Sequence, residues 1–287
     1  MKEVVSEPTR HHYIPEFYLL RWTVNGELWR FLRPRGPTSD LHARRVAPKA
    51  IGFASNLYTY PRPEDLRDRQ TIEANFLQKI DSKGAASLRK LENGELATED
   101  DKVHIVQFIL SLIHRTPRRI EFLQNELRNR MSNDLDPKRL PDEFFRHSAL
   151  NVFTDLVASD VMISELIRFS MFFVAIENNQ HGFMTSDRPI IISDGLHRKH
   201  SFVMLPIGPS KLLILAKNND VPNAFASQPA GKLVTAVNDA VVVQAEAIAI
   251  GNKLSDRRFI KKRLQRQEFN VASYIKSDGL VRWKAPL

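Results

Sequence analysis

The segment TEDDKVHIVQFILSLIHRTPRRIEF, residues 98–122, commits the chain to a helical core. Thr98 followed by Glu99, Asp100 and Asp101 is a helix start: a capping side chain, then acids in the first turn, where the dipole favours negative charge. With His104 as origin and roughly 100° per residue, Val106, Ile109, Leu110 and Ile113 share the far side. Ile105, Phe108 and Leu112 extend that surface, and a helix apolar over so much of its circumference is buried. The remaining sector holds His104, Gln107, Ser111, His114, Arg115 and Arg118. These polar residues face water, a partner or a cleft. Pro117 lacks the N–H that would bond to Ile113, so a helix otherwise able to reach Met131 kinks or ends there.

On either side of this segment the pattern stays helical. A helix is predicted over about Asp68–Leu91, closed by Asn93-Gly94. A third starts at Pro141 and ends within 160–168. The first of them carries an anomaly. Ile80, Leu88 and Leu91 centre its apolar face, with Phe76 and Leu77 beside them, yet Glu73 projects from the same face. A buried carboxylate needs a cation, a metal or a proton. Arg115 is a candidate partner, and the alternative is an ordinary first-turn acid.

β-favouring runs follow. Met171–Ile176, a turn at Asn178-Asn179 and a return strand Gly182–Thr185 read as a hairpin. Ile190–Ser193, Phe202–Leu205 and Leu212–Ala216 are further strands. A helix at about 229–250, a cationic helix and a strand near 270–275 complete the chain. At the other end, residues 1–12 read as a polar arm. Pro15 opens a short helix over EFYLLRW, Asn25-Gly26 is a turn, and LWRFL alternates as a strand. Residues 33–68 read as extended connections with an apolar anchor at Ile51–Tyr60. Helices segregated from hairpins predict an α+β fold. The expectation is one domain over residues 1–287, its helical half (about 68–168, three long helices) packed on an antiparallel, hairpin-built sheet half (about 169–287).

The chain has 287 residues, a formal charge of +9 and no cysteine. Disulfides, thiolate metal sites and cysteine nucleophiles are excluded. No apolar run approaches the ~18 residues of a membrane span. MKEVVSEPTRHH has no apolar core and is not a signal peptide. A cytoplasmic protein without a membrane partner is expected. The positive balance points to a polyanion such as nucleic acid. It concentrates in Lys253, Arg257, Arg258, Lys261, Lys262, Arg263 and Arg266, opposed within that stretch only by Asp256. On a helix these form a ridge suited to phosphates, or a solvated face. No zinc-finger, helix-turn-helix or RNP signature accompanies them, so base readout is not implied.

Two further candidates stand apart. His11-His12 offers one histidine as general base or ligand while its neighbour, pointing the other way in an extended chain, braces the backbone. Asp187, in Met184–Pro189, lies at a strand end ahead of a proline, a place for a base, a metal ligand or a plain turn residue. There is no HExxH, GxSxG, Walker loop or GxGxxG.

Three of these segments, HHYIPEFYLLRW, IHRTPRRIEF and FMTSDRPIII, together resemble the bacterial family called domain of unknown function 4238. His12, Pro15, Tyr18 and Leu19 match its HxxPxxYL opening. Arg115, Thr116 and Pro117 match its mid-chain arginine and proline, and Ser186, Asp187 and Pro189 its SDxP element. Leu205, Pro206 and Pro209 match LPxxP more weakly. The resemblance spans about residues 11–250. Arg188 stands where the family usually has asparagine. The resemblance implies that His12, Arg115 and Asp187 belong to one constellation, and it implies no activity.

These readings converge on a hydrolase, phosphodiesterase- or nuclease-like, acting on an anionic substrate. His11 or His12 would be general base or ligand. Asp187, alone or joined by Glu73, would orient it or hold a divalent cation. Arg115 would stabilise developing negative charge. Oxygen-rich ligation suits Mg²⁺ or Mn²⁺. The alternative is a non-catalytic nucleic-acid- or protein-binding module in which the motif residues are structural.

Overall fold

The computed structural model describes residues 10–61, 70–131, 140–177, 181–193 and 195–265. In chain order its elements are β1 (Arg10–His12), α1 (Glu16–Leu19), β2 (Leu28–Leu32), β3 (His42–Val46) and β4 (Phe53–Ser55). A π-helix (Ile72–Leu77) continues into α2 (Gln78–Glu92), followed by α3 (Glu99–His114), α4 (Pro117–Met131), α5 (Asp142–Val157) and α6 (Asp160–Leu166). Then come β5 (Ser170–Ala175), β6 (Thr185–Ser186), β7 (Ile191–Ile192), β8 (Phe202–Gly208), β9 (Lys211–Ala216), α7 (Asp220–Ala226), α8 (Ala230–Val243), β10 (Ile248–Gly251) and α9 (Arg257–Lys261). The fold is α+β, as the sequence predicts. The chain divides into two compact units, one of the residues up to Pro15 with Phe53–Ile163, the other of Glu16–Gly52 with the residues from Ser164.

The helical unit is organised by α3. Thr98 caps it: its hydroxyl accepts from the Asp101 amide, and the Asp101 carboxylate accepts from the Thr98 amide, both at 3.1 Å. This reciprocal pair satisfies donors that an open helix end leaves bare. Ile105, Val106, Phe108, Ile109, Leu110 and Leu112 are buried. Pro117 ends the helix rather than bending it, so the predicted span to Met131 is two helices, α3 and α4, with Arg115 and Thr116 between them. Helix α2 packs on α3, and α5 on α4. Tyr58 stacks on Phe153, which Phe76 meets edge-on. Strand β4 lies antiparallel to β1, with His11 opposite Ala54 and His12 opposite Phe53.

The sheet unit contains two four-stranded antiparallel sheets, in the orders β3-β2-β10-β6 and β5-β9-β8-β7. Alternation in LWRFL sends Phe31 into a core with Met184, Ala249, Ile260 and Leu264. Helices α7 and α8 cover the second sheet, where Phe225, Val234, Val237 and Val241 meet Phe202, Met204 and Ile214.

Several expectations fail here for identifiable reasons. The return strand predicted at Gly182–Thr185 reduces to Thr185–Ser186, and it pairs with β10, not with the preceding strand. Helix 229–250 stops at Val243, and Ile248–Gly251 is the strand β10 between β2 and β6. Alanine and β-branched residues satisfy a helix or a buried strand equally, so periodicity misreads that end. Residues 33–68, read as connections, contain β3, whose arginine-rich HARRV has the look of a loop but pairs residue by residue with β2. The third long helix is α5 followed by α6. The turn at Asn178-Asn179, the strand near 270–275, most of the N-terminal arm and the helix start at Asp68 lie outside the described residues.

The α2–α3 contact has a direct test. A Cβ added to Gly84 would lie 2.9 Å from the Phe108 Cβ. Helix propensity alone would stabilise Gly84→Ala by about 1 kcal/mol, whereas overpacking costs ~1–3 kcal/mol. We expect net destabilisation in urea unfolding; a more stable variant would show that the two helices are not in this contact.

Candidate functional site

Arg115 is the largest charged group sealed inside the helical unit, 1% exposed. Its Nη1 and Nη2 donate to the two oxygens of Asp81 at 2.8 and 3.1 Å, the two-pronged geometry that guanidinium and carboxylate favour. Nη2 also donates to the His12 carbonyl at 2.8 Å. The Arg115 carbonyl accepts from the Tyr58 hydroxyl. Burial works against the guanidinium charge, but Asp81, Tyr58 and Glu73 hold it in place.

Glu73 belongs to the same group. A hydrogen bond from the His12 backbone reaches its carboxylate, and the charges of Arg115 and Asp81 act on it. Burial, only partly offset by Arg115, lifts its pKa from 4.5 to about 7. From the sequence, Arg115 is a candidate partner for Glu73, with an ordinary first-turn acid as the alternative. The structure gives the direct ion pair to Asp81 and leaves Glu73 interacting at longer range.

His11 and His12 point to different tasks, as an extended backbone requires. His11 is fully buried; its Nδ1 accepts from the Tyr58 amide at 2.9 Å and its ring stacks on Tyr58. His12 is half-buried, its ring edge-on to Phe53, with its backbone held on both sides by Arg115 and Glu73. Three buried atoms of this group have no hydrogen-bond partner: His12 Nε2, Glu73 Oε2 and Arg115 Nε. Buried polar groups are rarely left so.

The other strip residues are quieter. His114 accepts from Arg119 Nε at 3.3 Å, and burial together with Arg119 pushes its pKa down to about 3. It is therefore neutral at physiological pH. Ser111 donates to the Phe108 carbonyl, and Arg118 is exposed.

Asp187 lies in the sheet unit, where its carboxylate accepts from three successive amides, Glu246 at 2.9 Å, Ala247 at 2.7 Å and Ile248 at 3.0 Å. Burial pushes its pKa up, against the pull of those amides and of Arg188. Arg188 faces Glu246 at 3.8 Å, both buried. Tyr18 joins two other motif segments in this unit: its hydroxyl bonds Thr185 at 2.7 Å and the Pro206 carbonyl at 2.8 Å. Among the described residues, no group of three or more His, Asp and Glu is placed to hold a metal ion.

The cationic stretch is partly used by the fold. Arg263 pairs with Asp239 and lies over the Phe259 ring at 3.7 Å. Arg257 donates to the Leu41 carbonyl at 3.3 Å. Arg258, Lys261 and Lys262 are exposed, and none is ion-paired among the described residues. Arg266 lies outside them.

Sequence reasoning missed Asp81 and Tyr58. At α-helical pitch, Asp81 stands about 80° from Glu73. The π-helix between them, bonded i to i+5, turns less per residue and closes that angle. Tyr58 gave no signal beyond its place in an apolar anchor.

A family model described as protein of unknown function (DUF4238) matches residues 10–255. The chain belongs to that family. No curated protein and no solved structure matches it. No helix among the described residues is long and apolar enough to cross a membrane.

Two measurements follow. Between pH 4.5 and about 7 the folded state keeps the Glu73 proton that the unfolded chain has released. Wild-type stability therefore contains a component that is present below pH 4.5 and drains away as pH rises through 7, of the order of 3 kcal/mol. Urea unfolding of Glu73→Gln should lack it; parallel pH profiles would refute the assignment. Asp187→Ala leaves the buried Glu246 and Ile248 amides and the part-buried Ala247 amide without their acceptor and should cost roughly 2–4 kcal/mol. A near-neutral effect would show that those amides are satisfied otherwise.

Proposed function

We propose that the protein binds nucleic acid through a basic surface on the sheet unit, making sequence-independent contacts to phosphates. The observation that carries this reading is the segregation of charge. Among described residues the sheet unit holds twice as many Lys and Arg as Asp and Glu, while the helical unit is nearly balanced. A net charge of +9 spread evenly would be a matter of solubility; confined to one unit it creates a field that attracts polyanions.

The surface is also held rigidly. Ile260 and Leu264 anchor α9 in the core. Arg33 donates to the Lys261 carbonyl at 2.8 Å, joining the loop of the β2–β3 hairpin to α9. That loop carries Arg35, exposed like Arg258, Lys261 and Lys262, and in this reading the four serve as one patch. Long cationic side chains on a fixed base suit phosphates, whose spacing along a strand is regular. In this reading Asp187 anchors the turn into β10, and Arg115 is the internal counter-ion of Asp81.

The test is a salt titration of binding to a fluorescent 20-base-pair duplex. The wild type should lose affinity linearly on a log–log plot. Replacing Arg258, Lys261 and Lys262 together by alanine should reduce the slope by up to about 3, nearly one per phosphate contact. Absent binding at low salt, or a slope indifferent to the triple substitution, would overturn the proposal.

A further inference from the structure

We propose that the loop between β7 and β8 is a second phosphate-binding element of the sheet unit, gripping the nucleic-acid backbone with His197, Arg198, Lys199 and His200. This rests on the nucleic-acid reading above and adds to it a contact outside α9 and the β2–β3 loop. The observation that carries it is a run of four basic side chains, all exposed, on a backbone that the fold holds in place.

The loop is closed at its base. Ser193 donates its amide to the Phe202 carbonyl at 3.0 Å, and its hydroxyl accepts from the Phe202 amide at 2.9 Å. Ser201, 1% exposed, donates its hydroxyl to the Gly195 carbonyl at 2.6 Å and its amide to the Arg198 carbonyl at 3.2 Å. Gly195 takes φ +81°, a left-handed conformation open to glycine. Asn218, just past β9, donates its Nδ2 to the Lys199 carbonyl at 3.0 Å and lies 3.5 Å from His200 Nδ1. A loose loop loses backbone freedom when a ligand orders it. Here that ordering is done by folding, before any ligand arrives.

The residue types narrow the ligand. Arginine and lysine bring permanent charge, and an imidazole offers an N–H donor even when neutral. Glu165, which interacts with His197, is already matched: Lys217 bonds it at 2.7 Å, and with Arg168 and His197 holds its carboxyl below the usual range. With Asp194 and Asp220 counted, the segment from 194 to 220 keeps a positive balance. Leu196 is the only apolar side chain of residues 195–201, so the loop has little to insert into a lipid surface. The loop is also within reach of a ligand held at α9. Gln265, just past α9, donates to the Glu246 carbonyl at 2.8 Å, and Glu246 faces Arg188 at 3.8 Å. From Arg188 to His197 the chain spans at most about 32 Å, whereas a 20-base-pair duplex is about 68 Å long.

The experiment is the salt titration of the full chain against the fluorescent 20-base-pair duplex, with Arg198→Ala and Lys199→Ala combined. The carbonyls of these residues, not their side chains, take the bonds that hold the loop, so the variant should fold. Arg198→Gln with Lys199→Gln, which keeps longer stems, repeats the test if it does not. The log–log slope should fall by up to about 2, nearly one per phosphate contact. It should fall further when the α9 substitutions are added. Lys49→Ala with Lys232→Ala removes equal charge from exposed positions of the same unit and should leave the slope at the wild-type value. A loop variant with the wild-type slope, beside an α9 variant that loses its share, would overturn this inference and leave the binding reading standing. An equal loss in the Lys49 and Lys232 control would overturn it as well, because the loop would then be part of a general field. So would capture by phosphatidylserine vesicles that depends on Arg198 and Lys199 while duplex affinity does not. No duplex binding at low salt would remove the binding reading, and this one with it.

Discussion

A guanidinium sealed inside a protein has to be neutralised where it sits, and Arg115 shows what that demands of its surroundings. Its charge is answered by Asp81, one helix away, and its Nη2 also reaches the carbonyl of His12, more than a hundred residues earlier. A buried ion pair of this kind adds little net stability, but losing either partner is costly. The arrangement therefore fixes geometry more than it adds free energy. The β1 strand, the break between α3 and α4 and the start of α2 are all held to one point.

Much of the fold was legible because it rests on local rules. Thr98 and its acids marked a helix start, Pro117 marked a kink or an end, and Asn93-Gly94 closed α2, where Gly94 takes φ +79°. What was lost depends on pairing at a distance. HARRV in β3 carries no alternation of its own, and only the opposite residues of β2 make it a strand. Ile248–Gly251 is helical by composition and β by position. Of the candidate site, His12, Glu73 and Arg115 were chosen as polar residues in apolar company, and all three lie in the helical unit. Asp81 was hidden because the count of 100° per residue fails across a π-helix. The role of Asp187 was hidden for another reason: a carboxylate bound to three backbone amides looks, in sequence, like any acid at a strand end.

The motif residues divide by task. Tyr18 and Asp187 each satisfy backbone groups of distant segments within the sheet unit. His12 and Arg115 do the same in the helical unit, but leave unsatisfied atoms beside Glu73. Within its own unit, each of these motif residues ties together stretches of backbone that are far apart in sequence.

The π-helix at Ile72–Leu77 has an evolutionary corollary. Such a turn is an α-helix carrying one surplus residue, so a single-codon deletion there would relax it to the commoner form. The shortened helix would keep its sequence character and its partners farther along, while Glu73 swung round the axis away from His12. Length polymorphism at this point, rather than amino-acid replacement, is the simplest way for descendants of this scaffold to reorient that buried carboxyl.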